Sequence, residues 1–259
     1  MITLTVLGLG EAGTLYATGL SEAGAVVRGY DPFVDTANPL FTQSTALAEA
    51  VENADVVISL VGADAAAGVA AEALPRLSAG TVFADFNTSS PAAKQTLARA
   101  AAAAGIPFVD VAVLAPVPRS GSGTSLMASG PGSERFRDLV APLGVPVEAI
   151  PGEAGVAAAR KLLRSVFMKG LASVVLESVA AGRAADDEDW IRDQMAQELG
   201  PHGADLVERL VTGSHAHAAR RAHEVQDDLD YVHSLGTPSW MTEGTLAWLS
   251  SLAASPIPR

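Results

Sequence analysis

Cysteine is absent from all 259 residues, so the chain has neither a disulfide framework nor a thiolate nucleophile, and thiolate metal sites are excluded. Basic residues are scarce: 17 Lys and Arg stand against 29 Asp and Glu, a formal net charge of −12. A nucleic-acid binder neutralises phosphates with a basic patch, and none is visible, so no nucleic-acid partner is expected. Any anionic ligand must be met by a few local cations. No basic n-region followed by an apolar run opens the chain, so no signal peptide is expected. Nor is any uninterrupted apolar stretch long enough to span a bilayer, which leaves a cytoplasmic protein without a membrane partner as the expectation. Internal repeats are lacking too. What is present is a globular composition, 49% apolar and 18% charged, at a length for one large domain or two modest ones.

Up to about residue 150 the chain alternates short β-branched runs with Ala-rich helical stretches, as successive βαβ units do. Ile2 to Leu7, Val26 to Tyr30, "ADVVISLV" (54–61), "TVFADFN" (81–87) and "PFVDVAVL" (107–114) read as strands. Ala12 to Ala23, "TALAEAV" (45–51), "AAAGVAAEALPRL" (65–77) and "SPAAKQTLARAAAAAG" (90–105) read as helices, the last with Ser90 as N-cap and Pro91 at its first position. Strands that are apolar without alternation suit a parallel sheet covered on both faces, so an α/β doubly wound sheet is expected. After "VEAIPGEAG" (147–155) strand signals stop. Val156 to Gly182 has no proline and one internal glycine, Gly170, which predicts one long helix. The stretches 187–200 and 204–236 predict further amphipathic helices, each ended by glycine, and the closing "SPIPR" is expected to fray. The reading divides the chain into 1–151, the doubly wound domain, and 152–259, an all-helical domain built on the long helix.

"VLGLGEAGTLYATGL" (6–20) places Gly8, Gly10 and Gly13 at G-x-G-x-x-G spacing between a predicted strand and a predicted helix. The first glycine permits a tight turn, the second a close approach of backbone to a pyrophosphate, the third close helix–strand packing. The free N–H groups of the helix start would face the phosphates. Gly8, Leu9, Gly10, Glu11, Ala12 and Gly13 are thus the expected cofactor-binding turn, joined by Leu60, Val61 and Asn87 at the ends of later strands. Eighteen residues after Gly13, at the end of the next strand, stands Asp31, whose carboxylate can accept hydrogen bonds from an adenosine ribose. That favours NAD; Arg28 is near enough in sequence that NADP stays open.

Four stretches, "GLGEAG", "DFNTSSP" (85–91), "FVDVAVLAPVP" (108–118) and "GEAGVAAARKLLRS" (152–165), give nearly the whole chain a resemblance to the β-hydroxyacid dehydrogenase superfamily. That superfamily includes 3-hydroxyisobutyrate and 6-phosphogluconate dehydrogenases and, more distantly, imine reductases; the resemblance is greatest to its 6-phosphogluconate dehydrogenase-like branch. It implies an N-terminal Rossmann domain that binds NAD(P), and a C-terminal helical domain that binds substrate and forms a homodimer. It also implies that Lys161 is the catalytic acid or base and that Ser165, four positions on, helps bind substrate. Burial, or a neighbouring cation such as Arg160 or Arg164, lowers a lysine's pKa toward neutrality, which suits proton transfer from a hydroxyl as hydride leaves the carbon. Where the family commonly has asparagine, this chain has Ser165, and where it has a serine and two glycines that bind a substrate carboxylate, this chain has Leu114, Ala115 and Pro116 after Asp110.

Asn87, Thr88 and Ser89, past a strand end, are candidates to line the nicotinamide and substrate pocket, with Ser90 assigned to capping. "RSGSGTSL" (119–126) offers Arg119 with Ser120, Ser122 and Thr124 as another anion-binding loop, or else a flexible one. "SHAHAARRAHE" (214–224) resembles a His-x-x-Arg-Arg string of the same branch; on a helix His217, Arg220, Arg221 and Glu224 share a face, and an arginine grips carboxylate or phosphate bidentately. The bland alternative is a solvated face with Glu224 and Asp227 as salt partners. His215, His217 and His223 do not meet metal-site spacing, so no metal is expected. The reading is an NAD(P)-dependent oxidoreductase acting on a small hydroxy acid, sugar acid or related polar alcohol. The rivals are an imine or carbonyl-like reductase and a non-catalytic nucleotide-binding protein.

Overall fold

The structure, a computed structural model, describes residues 1–254. The tail 255–259, expected to fray, lies outside the described residues. The chain divides into two compact units, Met1–Lys161 and Leu162–Arg259, with the division falling inside one continuous helix.

The first unit runs β1 (Thr3–Leu7), α1 (Glu11–Glu22), β2 (Val26–Tyr30), β3 (Thr42–Gln43), α2 (Leu47–Val51), β4 (Val56–Ser59) and α3 (Ala63–Ala73). It continues with β5 (Val82–Asp85), α4 (Pro91–Ala103), β6 (Phe108–Val113), β7 (Leu126–Ser129), α5 (Ser133–Val140) and β8 (Val147–Ala149), and ends in the first turns of α6 (Val156–Ala184). One sheet holds all the strands in the order β3-β2-β1-β4-β5-β6-β7-β8, parallel throughout except where β7 pairs antiparallel with β6. The expected doubly wound sheet forms. Because β2 lies on one side of β1 and β4 on the other, the winding reverses at β1, and a crevice opens beyond the C-terminal ends of β1 and β4.

Successive strand residues face opposite sides of the sheet, and both sides are covered, which explains why its central strands are predominantly apolar. Leu4 and Val6 of β1, Val56 and Ile58 of β4, and Val82 and Ala84 of β5 join one core with Tyr16 and Leu20 of α1 and Phe136 and Val140 of α5. Leu7, Val57 and Phe83 point the other way, onto Ala66 and Ala70 of α3 and Leu97 and Ala101 of α4. Within the first core Phe86 meets both Tyr16 and Phe136 edge-on, at centroid distances of 5.3 and 5.9 Å.

The second unit continues α6 and adds α7 (Glu188–Glu198), α8 (Gly203–Ala216), α9 (Ala218–Ser234) and α10 (Trp240–Ala254). Its core is Ala172, Val175, Leu176 and Val179 of α6 against Val207, Leu210 and Val211 of α8. One expectation needs correction. The stretch 204–236 is two helices, broken at His217 (φ −131°), just after Gly213, a poor helix former flanked by Thr212 and Ser214, whose hydroxyls donate to the carbonyls of Glu208 and Leu210. By length and composition α6 is apolar enough to cross a membrane, but Lys169 and Glu177 lie within its apolar part, so no uninterrupted apolar span results.

Phe136 is fully buried, whereas Phe33 is 95% exposed. Phe136→Ala is expected to cost about 3–5 kcal/mol in denaturant-melt stability and Phe33→Ala within about 0.5 kcal/mol. Equal effects of the two would contradict the described core.

Candidate active site

The chain leaves β1 through Gly8, whose φ of +94° suits glycine. A side chain there would also press on the Leu60 carbonyl, since a Cβ would lie 2.4 Å from its oxygen. Gly13 packs α1 onto the turn so closely that a Cβ would stand 1.8 Å from the Gly8 oxygen. Gly10, the N-cap of α1, has nothing within 4 Å of where its Cβ would be. The backbone at Gly10 is therefore open on the side a Cβ would take. The N–H of Thr14 is the first in α1 to bond a helical carbonyl, that of Gly10, which leaves the amides of Glu11, Ala12 and Gly13 without an intrahelical acceptor.

Asp31 braces this turn. Its Oδ2 accepts from the Leu9 amide at 2.8 Å, while Oδ1 accepts from the amides of Phe33 at 2.8 Å and Val34 at 3.1 Å. A carboxylate offers about four lone-pair sites, so capacity remains for a ribose hydroxyl. Arg28, which kept NADP open in the sequence, gives its guanidinium to the Glu52 carbonyl.

Across the crevice Asn87, only 4% exposed, ties the loop after β5 to the loop after β4. Its Oδ1 accepts from the Gly62 amide at 2.8 Å; its Nδ2 donates to Ser59 Oγ at 3.0 Å and to Asp85 Oδ1 at 2.5 Å. Both amide protons are thus engaged within the protein. Thr88 is exposed, and its Oγ1 accepts a 2.8 Å hydrogen bond from Lys161 Nζ. Ser90 caps α4 as expected, accepting from the Ala93 amide at 3.2 Å.

Lys94 was not singled out by sequence reasoning. It projects from α4 into the interior, 1% exposed, with Nζ 2.8 Å from Asp85 Oδ2 and 3.4 Å from Asp110 Oδ1. The other Asp110 oxygen accepts from the amides of Gly155 at 3.0 Å and Ala158 at 2.9 Å, which begin α6. A signal existed: Lys94 shares the helical face of Leu97 and Ala101, and an aspartate ends the fully apolar strand β5 while another sits within β6.

The second loop of interest is built rather than loose. Ser122 packs on Gly19 of α1, and Thr124, 1% exposed, donates its hydroxyl to the Gly121 carbonyl at 2.8 Å. Arg119 is exposed beside it, and Ser122 and Thr124 serve to anchor the loop.

In the second unit Ser165 accepts from Lys169, whose Nζ is also 3.1 Å from Glu224 Oε2 and 3.5 Å from Asp228 Oδ2. Arg220 closes the chain by pairing with Glu224 at 2.8 Å. The structure thus joins Ser165 and Arg220 through Lys169 and Glu224. The expected common face for His217 is corrected: His217 is the exposed residue at the break, outside α9. Arg221 turns inward to Ser214 Oγ at 2.6 Å, and burial lowers its pKa. Burial raises the Asp228 carboxyl above the usual range, with Lys169 and Ser165 pulling the other way.

A crevice of this build, at the switch point of a doubly wound sheet, is that of a dinucleotide-binding protein. The chain belongs to the family described as the NAD binding domain of 6-phosphogluconate dehydrogenase, which matches residues 3–143. A domain of unknown function (DUF1932) matches residues 183–252. An uncharacterized 28.5 kDa protein in the 7S RNA 5′ region of Methanothermus fervidus is 28% identical over 175 residues, 68% of this chain and 66% of that protein's length. A conserved hypothetical protein from Sinorhizobium meliloti 1021 is 28% identical in structure-based comparison over 99% of this chain and 90% of its own, with a TM-score of 0.81. The 3-hydroxyisobutyrate dehydrogenase of Mycobacterium tuberculosis, solved with L-serine, shares the fold at a TM-score of 0.84 and 20% identity, over 98% and 94% of the two chains. An imine reductase from Myxococcus stipitatus in complex with NADP+ shares it more loosely, at 0.62 and 17% over 97% and 94%. The chain is thus an NAD-binding member of the hydroxyacid dehydrogenase-like fold.

A carboxyl whose pKa is raised in the folded state binds its proton more tightly there, so stability declines as pH rises from the unfolded value through the folded one. Asp228→Asn should therefore flatten the fall of the thermal midpoint as pH rises above the usual carboxylate range. Identical slopes in wild type and variant would contradict the burial of this carboxyl.

Proposed function

We propose that the protein is an NAD-dependent oxidoreductase that transfers hydride between nicotinamide and the carbinol carbon of a small hydroxy acid, sugar acid or related polar alcohol. The observation that carries this reading is the 2.8 Å hydrogen bond from Lys161 to Thr88, which holds an amine at the strand-end crevice that the glycine turn also borders. When bound, the nicotinamide ring supplies the site that accepts or donates hydride. Lys161 handles the proton: as a neutral amine it takes the hydroxyl proton while the carbon is oxidised to a carbonyl, and as an ammonium it returns that proton in reduction. Thr88 orients the amine. The residues present fit the cofactor, since Gly10 leaves a cradle open, the start of α1 offers amides to a pyrophosphate, and Asp31 has capacity for a ribose.

Leu114, Ala115 and Pro116 stand where a carboxylate-binding serine and glycines are usual in the resembling family, and Pro116 has no N–H to offer. This departure favours, as a second reading, a substrate with a carbonyl-like group and no carboxylate at that loop, such as an imine. Turnover of cyclic imines without any alcohol oxidation would select it, and binding of NADH with no turnover of either class would select a non-catalytic role. The helical unit also carries Leu163, Phe167 and Val174, 50%, 65% and 50% exposed along one face of α6. A second copy of this chain covering that stripe accounts for it; a monomer mass in light scattering would overturn the pairing.

Titration calorimetry comes first. Wild type should bind NADH in preference to NADPH, and Asp31→Ala should weaken NADH by about tenfold or more, roughly 1.4 kcal/mol. Lys161→Met should then lower turnover by on the order of a hundredfold or more while leaving NADH affinity unchanged. Full turnover in that variant would sink the assignment.

A further inference from the structure

The ammonium of Lys94 lies at the junction of two features that the proposed reaction needs. Asp85 and Asp110 are register partners on the adjacent parallel strands β5 and β6, so their side chains leave the sheet on the same face, where they are 1% and 0% exposed. Two carboxylates so placed repel each other in a dry environment, and Lys94 is the cation between them. Lys94 Nζ also donates to the Asp85 carbonyl at 2.8 Å, which fixes it against the end of β5.

From each carboxylate a short route leads to the candidate site. Asp85 holds Asn87 by its side-chain amide, and Thr88 follows directly. Asp110 holds the amides of Gly155 and Ala158, assisted by Ser129, whose hydroxyl bonds the Ala157 amide at 3.0 Å; Lys161 follows Ala158 by three residues along the same helix. The start of α6 has no slack against α4, because a Cβ on Gly155 would stand 2.9 Å from the Pro91 oxygen. Thr88 and Lys161 then meet at 2.8 Å and close a ring of contacts.

We propose that Lys94 is a positioning residue: by clamping Asp85 and Asp110 it sets the Thr88–Lys161 hydrogen bond, and with it the place from which Lys161 acts on a substrate. The significance for turnover rests on Lys161 being the acid/base. The geometric claim stands on contacts alone.

The chain has three lysines, Lys94, Lys161 and Lys169, so pulse acetylation of the intact protein with acetic anhydride, read by peptide mass spectrometry, reports Lys161 with Lys169 as internal reference. In Lys94→Met the rate at Lys161 relative to Lys169 should rise about tenfold, and in Asp110→Asn, which keeps an acceptor for the α6 amides, about threefold, the range spanned by one ordinary hydrogen bond. The double variant Lys94→Met/Asp110→Asn, freed of the paired like charges, should fall back to the Asp110→Asn level. That recovery marks a charge clamp, since a merely space-filling lysine would give no rescue. An unchanged ratio in Asp110→Asn overturns the proposal, and this variant decides alone if Lys94→Met does not fold. Labelling that follows the expected order, together with full turnover in Lys161→Met, would leave the clamp standing and remove the assignment of Lys161.

Discussion

Two like charges on neighbouring strands, held together by one buried ammonium, are the constraint around which the first unit is arranged. Asp85, Asp110 and Lys94 come from β5, β6 and α4, and none has access to water. Breaking a buried pair by removing one partner is costly, so these three elements cannot be varied independently. The same carboxylates reach outward: one to Asn87 and the loop after β4, the other to the first amides of α6. What looks like a set of separate loop contacts at the strand ends is therefore one connected polar assembly, surrounded by the two apolar cores that flank the sheet.

Much of the architecture could be read from the sequence because its central strands are buried on both faces. β1, β4, β5 and β6 show as predominantly apolar runs, and Gly, Ser and Pro mark the helix boundaries between them. The elements that escaped notice are short or peripheral. β3 has two residues and β8 three, and β7 follows a glycine–serine segment that reads as loop. α5 carries four charged residues in eight, which hides Phe136 and Val140 on its buried side. The break at His217 was invisible for another reason: apolar positions recur from Val207 to Val232 on both sides of it, so the periodicity runs straight across.

The candidate site was legible where a residue's backbone role is diagnostic. Gly8, Gly13 and Asp31 could be named because strand–turn–helix geometry demands them. Lys161 and Ser165 emerged only through resemblance, since a lysine in a basic helical turn is ordinarily solvated. Asn87 was named for its position past a strand end, and what the structure adds is that its side chain is turned to bracing the loops, with the neighbouring Thr88 exposed to the crevice. Periodicity puts Lys94 on the apolar face of Leu97 and Ala101, but a helical face alone does not say which two carboxylates it meets across the sheet.

Asp31 grips three backbone amides, one of them in the glycine turn. The turn is thus fixed by the protein's own hydrogen bonds. Binding to a preformed surface loses little ordering entropy, and interfaces of that kind move by less than about 1 Å on complex formation. A turn held by three such bonds has little backbone freedom left to lose, so whatever it discriminates it discriminates by fixed geometry rather than by an adjustable loop.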